Sequence, residues 1–448
     1  MKRSMKAIAA AAAALSMAFS CVPVIYAAKD TPAVQAEQEG SEVKYGFTEG
    51  KTIVTPSYGF PFFVNNDGTV YYESGDSNDR VIIYTMDEDG KVIDSYTFKS
   101  YVNDDGETRT YGGIEKTKQI GNYLYLFCAE YDDSSLYIPQ KKNNVIIKLD
   151  TKLNEVAKYK FDKKFRSLDT NGEKVVYIKD SLTTQSIYVC DMNGKNKKLL
   201  YSTNIDMKPI EQGANSVAIA GNYVGFQRRT GYSNKSNYKT YCGIIDIETG
   251  EVTLHEERSV EQVVSSNGKL VWYGNDGYYP DPEGTFNNVS SEVFEGGAIA
   301  VDNYFQSRYK YYDDSEIYVF DGENYSVIKN PNPKELGYST IIDNEGNLIT
   351  TSFDQKAKKT IFRIYRDGKL MDEIRLDNNS CGSIVANGGT MAFWFTGREP
   401  SPDDWVGWSD STPKEEVEAM LAAQAERSAK LREEYPAKST TYTYKTNS

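Results

Sequence analysis

The sequence predicts an all-β protein: a single β-propeller of about seven four-stranded blades, with six or eight as alternatives, followed by a C-terminal amphipathic helix. Three observations carry this expectation. Short apolar strands punctuated by Asn-Gly and Asp-Gly turns recur across residues 58–377. They fall into a repeated unit of two hairpins, which is how a blade looks in a sequence. A helical period occurs strongly only once, near the C-terminus.

The first hairpin of the unit is Val64-Asn-Asn-Asp-Gly-Thr-Val-Tyr-Tyr72, and it recurs at Leu168–Tyr177, Val264–Tyr273, Ile342–Thr350 and Val385–Trp394. Ile120–Phe127 and Ala220–Phe226 are looser copies. Asn-Gly and Asp-Gly supply the positive φ that tight hairpin turns require. A second hairpin follows each first one, as in Val81–Gly90, Val145–Asp150, Ile187–Gly194, Gly243–Gly250, Ile317–Gly322 and Ile361–Gly368. It consists of an apolar strand, an acidic residue, a turn and another strand. Six complete units result, at about 58–100, 114–162, 165–203, 214–257, 262–330 and 338–377.

A seventh unit opens at 381–396 without a matching second hairpin, while Val43–Pro56 is an orphan strand pair at the other end. Pairing these ends closes the propeller and removes exposed sheet edges. The expected organisation is a propeller over 43–400 and a distinct C-terminal region over 401–448. In that region Thr412-Pro-Lys-Glu415 reads as a capping box with proline at the first helical position. A helix over 413–434 would place Val417, Met420, Leu421, Gln424, Ser428, Leu431 and Tyr435 on one face. Residues 439–448 read as a frayed tail or one extra strand.

The N-terminus carries Lys2, Arg3 and Lys6 and then a nearly unbroken apolar run to Ala27. This reads as a secretory signal peptide over 1–27, cleaved after Ile25-Tyr26-Ala27, with a polar spacer over 28–42. The run is also long enough to be an uncleaved anchor, and Cys21 is a poorer match to a lipid-modified cysteine. The expectation is a secreted or surface-associated protein that meets membrane only through that leader, if it is retained or lipidated. Net charge is −13, and −16 once residues 1–27 with their three basic and no acidic residues are removed. Such a surface disfavours nucleic acid.

Beyond the leader, Cys128, Cys190, Cys242 and Cys381 lie far apart in strand-like runs with no Cys-x-x-Cys, so they read as small buried apolar residues. His255 is the only histidine, which excludes multi-histidine metal centres and disfavours a Ser-His-Asp hydrolase. Beside Glu256 and Glu257, it reads as an exposed loop residue. No Gly-x-Ser-x-Gly elbow or phosphate loop occurs. The acidic turns Asp87–Gly90, Asp104–Glu107 and Asp281–Gly284 lack the spacing of an EF-hand and read as solvated turns. No cofactor or metal is expected.

Several second strands, namely Val70-Tyr-Tyr-Glu73, Val175-Val-Tyr-Ile178 and Leu270-Val-Trp-Tyr273, resemble a degraded Tyr-Trp-Thr-Asp strand of propellers of the low-density-lipoprotein-receptor type. The third strand and turn at Ile187–Leu199 resemble both that group and the bacterial TolB-like propellers. The resemblance lies in fold-forming positions and implies a propeller used for protein–protein contact. Phe362-Arg363-Ile364 is similar to the arginine strand of sialidases, but it stands near the wrong end and without the Ser-x-Asp-x-Gly boxes, so Arg363 reads as an ordinary strand residue.

The departures from the repeat are aromatic. The fifth unit holds a long insertion, Asn275–Asp314, with Tyr278 and Tyr279 near its start, and the seventh hairpin is followed by Trp405 and Trp408. Tyrosine and tryptophan bring large contact area at low entropic cost. Tyr278, Tyr279, Trp405 and Trp408 are therefore the candidate binding residues. The function expected is a non-catalytic module that binds or scaffolds an extracellular protein or glycan. A carbohydrate-active enzyme with paired carboxylates at the propeller mouth and a TolB-like cell-envelope component are the alternatives.

Overall fold

A computed structural model of the chain describes residues 43–447 except 76–80, 100, 103–107, 110–113, 133–139, 163, 182, 205–212, 231–238, 258–259, 261, 267, 274–315, 330–336, 344, 355–356, 358, 367–368, 378–383 and 396–412. The signal-peptide and spacer segments lie outside the described residues.

Seven four-stranded antiparallel sheets form the blades. Blades 1 to 6 occupy 60–97, 116–162, 165–204, 213–257, 262–329 and 337–377, each with its four strands in sequence order. A two-stranded ribbon, Tyr101–Val102 with Thr108–Arg109, lies between blades 1 and 2 in the chain. First strands of blades 3 and 4, 4 and 5, 6 and 7, and 7 and 1 lie against one another around the axis.

Blade 7 is assembled from both ends of the chain. Its two inner strands are Ile384–Asn387 and Thr390–Phe395, its third is Lys438–Asn447, and its outermost is Val43–Val54. The N-terminal segment, expected as a strand pair, is thus one strand of 12 residues, irregular between Tyr45 and Thr48 and between Glu49 and Thr52. The closing strand expected from the N-terminus is present. The propeller does not stop near residue 400: of the two readings of 439–448, a frayed tail or an extra strand, the strand holds, and Lys438–Asn447 is hydrogen-bonded on both sides. Only that strand can bridge Thr390–Phe395 to Val43–Val54, since both flanking edges would otherwise expose unpaired backbone groups.

The second and third strands read as unbroken apolar runs because both faces of each blade are covered. Along Tyr123–Asp132, Leu124, Leu126 and Cys128 pack with Phe63, Tyr71 and Ile83 of blade 1. The alternate residues Tyr125 and Phe127 pack with Phe165, Val175 and Tyr177 of blade 3. A strand's period of two thus feeds two cores. The same arrangement joins blades 3 and 4, 4 and 5, 6 and 7, and 7 and 1. Cys128, Cys190 and Cys242 are free and buried in these layers, as expected; Cys381 lies outside the described residues.

The turns within each blade share one face of the propeller. Asn171 Nδ2 donates to Gly221 O at 3.1 Å between the first turns of blades 3 and 4. Ile247 N donates to Asn222 O at 2.9 Å, linking the two turns of blade 4. This hairpin face is tight. Gly388 of blade 7 has φ +55°, and a Cβ there would stand 2.6 Å from Asn66 O of blade 1. Connections between second and third strands, and between blades, leave on the opposite, connection face.

Helix α1, Lys414–Glu434, stands between the second and third strands of blade 7. Val417 is buried, and Met420, Gln424, Ser428, Leu431 and Tyr435 are half-buried, while Ala422, Ala423, Glu426 and Arg427 are exposed. The inward face is the one the period predicts. The capping differs. Pro413 is the N-cap itself, extended at ψ 141° and without a side-chain cap, its carbonyl accepting from Glu416 N and Val417 N at 3.0 Å. Thr412 lies outside the described residues. The Arg432 guanidinium sits 5.3 Å from the Tyr58 ring, which meets Trp394 edge-on at 5.3 Å. This fixes the helix end at the junction of blades 7 and 1.

Candidate functional site

A buried cluster of ionisable groups lies on the propeller axis, where first strands meet. Lys116 and Lys118 come from the first strand of blade 2, Lys116–Ile120, and Asp169 from that of blade 3, Phe165–Thr170. Ser265 comes from the first strand of blade 5, Gln262–Ser266. Radial first strands bring their ends to one point, so residues far apart in sequence meet there.

Lys118 Nζ donates to Thr170 O at 2.5 Å, Ile219 O at 3.1 Å and Asp169 Oδ2 at 3.2 Å, and to Ser265 Oγ. Asp169 accepts from Lys116 Nζ at 2.7 Å, Ser265 Oγ at 2.7 Å and Ile219 N at 2.8 Å. Blades 2, 3, 4 and 5 are thereby tied together across the axis. Burial pushes the Lys118 ammonium down to about 8, with Asp169 pulling it back and Lys116 adding to the fall. Burial raises the Asp169 carboxyl, but Lys116 and Lys118 outweigh it and hold the group at about 2. At neutral pH Lys118 and Asp169 form an ionised pair.

Depressed lysines and buried carboxylates are the marks of catalytic groups, but geometry decides here. Lys118 is 6% exposed and Asp169 0%, and each already serves several partners. Three ammonium hydrogens are shared among four acceptors, so no donor is left over for a ligand. What the arrangement does chemically is fill the axis with a saturated ion cluster. Lys116, nearer the connection face, forms its floor, with its side chain 22% exposed.

These residues follow a signal that sequence reasoning missed. Three positions before the turn glycine, blades 1 to 6 carry Asn65, Lys118, Asp169, Ala218, Ser265 and Asp343. At this position, near the end of the first strand, Lys118, Asp169 and Ser265 meet, while Asn65 accepts from Asp67 N at 3.1 Å and Thr69 N at 2.9 Å of its own turn. Asp343 uses it differently, accepting from Tyr444 OH of blade 7 at 2.8 Å and Asn347 Nδ2 at 2.7 Å.

Two carboxylates sit at the connection-face ends of second strands, at the interface of blades 1 and 2. Burial pushes the Glu73 carboxyl up to about 7, and a hydrogen bond from the Ile114 backbone draws it partly back. A carboxyl titrating there can donate a proton at neutral pH. Glu130 is committed to Lys160 at 2.7 Å and Asn143 at 2.8 Å. A groove of about 210 Å³ between the outer halves of blades 6 and 7 is lined by Glu49, Asp377, Phe362, Phe393, Phe395 and Tyr442. It is smaller than the roughly 300 Å³ at which drug-sized pockets begin.

The remaining expectations resolve individually. Tyr278, Tyr279, Trp405 and Trp408 lie outside the described residues, as do the acidic turns at 104–107 and 281–284. In Asp87–Gly90 the aspartate binds its own turn, accepting from Asp89 N at 3.0 Å and Lys91 N at 2.9 Å. No group of three or more metal-ligating side chains occurs among the described residues. His255 is not an exposed loop residue. It lies in the outermost strand of blade 4, Val252–Glu257, half-buried, and stacks on Tyr325 of blade 5 at 3.8 Å and 3°. The strand simply continues past it, and blade 5 supplies a covering ring. Arg363 is a buried strand residue paired through Nε with Glu373 at 2.6 Å.

No protein-family model and no curated protein matches the chain. Among solved structures it is similar to the β-propeller domain of the trilobed protease from Pyrococcus furiosus, at 14% identity over 63% of this chain and 77% of that one, with a TM-score of 0.37. It is also similar to a prolyl endopeptidase (11% identity, 75% and 45% covered, TM-score 0.42). BamB from Moraxella catarrhalis is a third case (8% identity, 78% and 96% covered, TM-score 0.34). The chain spans less than half the length of the prolyl endopeptidase and of the Pyrococcus horikoshii acylaminoacyl peptidase, 45% and 43%. At this identity the likeness concerns the propeller fold alone.

Proposed function

We propose that the protein is an exported, non-catalytic propeller that binds or scaffolds an extracellular protein or glycan, in the manner of the receptor-type and TolB-like propellers its strands resemble. Its contact surface is the connection face, with Tyr278, Tyr279, Trp405 and Trp408 as anchors. One observation supports this above the others. The strands that bracket the two aromatic segments, Lys269–Tyr273 with Glu316–Phe320 and Thr390–Phe395 with Lys438–Asn447, are in both cases second and third strands. Both segments therefore start and end on the same face of the propeller. Loops on a rigid scaffold carry binding more often than the scaffold itself.

The test replaces Tyr278, Tyr279, Trp405 and Trp408 together with alanine and confirms an unchanged melting transition. Affinity is then measured for ligands recovered by pull-down or glycan array with the parent protein. A loss of about 30-fold or more is expected, since a buried aromatic anchor is worth about 2 kcal/mol or more. Parent-like affinity in the folded variant would remove these residues from the contact.

A further inference from the structure

The connection face also carries an arginine that makes no hydrogen bond or ion pair with the described residues. Arg228 is near the end of the second strand of blade 4, Tyr223–Thr230, half-buried. Its guanidinium lies 6.0 Å from the Tyr201 ring of blade 3 and 6.0 Å from the Tyr241 ring of its own blade. Cross-strand pairing with Ala214 and Tyr241 sets all three on the face toward blade 3. Below it Phe226 packs on Tyr201 at 4.9 Å, so the aromatic wall is itself anchored in the core.

The neighbouring charges are spoken for. Arg166 Nη2 donates to Ala214 O at 2.7 Å, and Arg166 Nε stands 3.2 Å from Asp180 Oδ2. Asp180 also accepts from Gln185 Nε2 at 2.8 Å, and Gln185 Oε1 in turn accepts from Ala214 N. Glu256, across from Tyr241, is held by Lys239 at 2.7 Å. Arg228 alone in this group makes no hydrogen bond or ion pair with the described residues, and its Nε is buried without a partner. A desolvated donor left unmade is costly, and a guanidinium held between two aromatic rings keeps its planar fork oriented for a bidentate acceptor.

We propose that Arg228 is the anchor of a protein-binding site, taking an aspartate or glutamate carboxylate of a polypeptide partner between Tyr201 and Tyr241. Tyrosine and arginine are the residues that dominate such contacts. A chain with 64 acidic and 51 basic residues repels a polyanion at long range, whereas one carboxylate meets one guanidinium at short range. A polypeptide with a single carboxylate suits that field better than an acidic polysaccharide. The inference rests on the binding-module reading and adds to that connection face a contact at blades 3 and 4.

The experiment screens a displayed random-peptide library on the full-length protein, on Arg228→Gln, and on the quadruple alanine variant of Tyr278, Tyr279, Trp405 and Trp408. Melting curves confirm that each is folded, and Arg228→Lys serves as the conservative variant. Peptides recovered by the parent should be enriched in Asp and Glu. They should bind Arg228→Gln at least tenfold more weakly, with Arg228→Lys in between, since charge-assisted bonds of this kind are worth about that much or more. Recovered peptides without acidic enrichment, or binding to Arg228→Gln within twofold of the parent, would overturn the site. Arg228-dependent binding of uronate glycans on an array, with no peptide binding, would overturn the polypeptide assignment. Loss only in the quadruple variant would leave the aromatic segments as the contact and end this inference, while loss only in Arg228→Gln would do the reverse.

Discussion

In blade 3, residues 165–204 supply all four strands in order, joined by short turns. In blade 7, the pair Val43↔Asn447 and its neighbours unite strands from opposite ends of the chain. The two sheets have the same ladder but very different closure costs. Each blade 3 pairing closes a short loop, whereas the outer pairing of blade 7 closes a loop of nearly the whole chain, whose entropy grows only with the logarithm of its length. Blade 3 is held additionally by the Lys118–Asp169 knot, and blade 7 by Tyr444 on Asp343. The difference teaches that blade 3 is a local structure reinforced from outside, whereas blade 7 exists only when the whole propeller does.

The comparison breaks most sharply on deletion. Removing residues 438–448 strips a strand bonded on both sides and should abolish cooperative unfolding in denaturant titrations followed by near-UV circular dichroism. Removing 43–56 takes away an outermost strand and should leave a weaker, protease-sensitive propeller. Parent-like stability after the first deletion would mean that blade 7 is dispensable.

Next in size is the knot. Asp169→Asn leaves the buried Lys118 and the half-buried Lys116 without their carboxylate and should cost about 3–5 kcal/mol in equilibrium unfolding. Tyr444→Phe removes one hydrogen bond to a carboxylate and should cost about 1.5–3 kcal/mol. Equal losses would show that the two blades are fastened alike. The knot also has a pH signature. Asp169 is held at about 2 against an ordinary value of 3.8, so its contribution is fully present above 3.8 and fades as pH falls toward 2. Asp169→Asn should flatten that part of the stability profile, and an unchanged acid limb would count against the ion cluster.

Smaller effects test the seam between blades 7 and 1. Val417→Asp places a charge under α1 and should undock the helix, raising cleavage within 414–434 by a probe protease. Because the helix can leave without the sheet, the cost should stay within about 1–3 kcal/mol. Lys51→Ala removes the exposed pair with Asp89 at 2.6 Å and should leave the melting temperature unchanged.

The six blades built from consecutive strands were readable because each carries its own turn signal: Asn-Gly at 171–172 and Asp-Gly at 67–68 mark hairpins whose partners are a few residues away. The third strand of blade 7 was legible only as one of two readings, and its place in the sheet was not legible at all. Its Thr-Tyr alternation has no turn beside it, and its partners lie at 390–395 and 43–54, so no local pattern identifies them. The axial knot was hidden for another reason. Lys118, Asp169 and Ser265 look like ordinary turn-flanking residues until the repeat register is read down a column, and Arg228 becomes distinctive only once Tyr201 and Tyr241 are known to flank it.

The closing pair has a mechanical meaning as well. Val43 and Asn447 lie opposite one another at the same end of adjacent antiparallel strands, and the register runs from there to Val54 and Lys438. Tension applied to the two ends therefore loads the ladder one rung at a time, as in opening a zipper, rather than shearing all of its bonds together. A propeller that withstands heat as one unit would yield to pulling from this single point, and the first thing it would release is its own outermost strand.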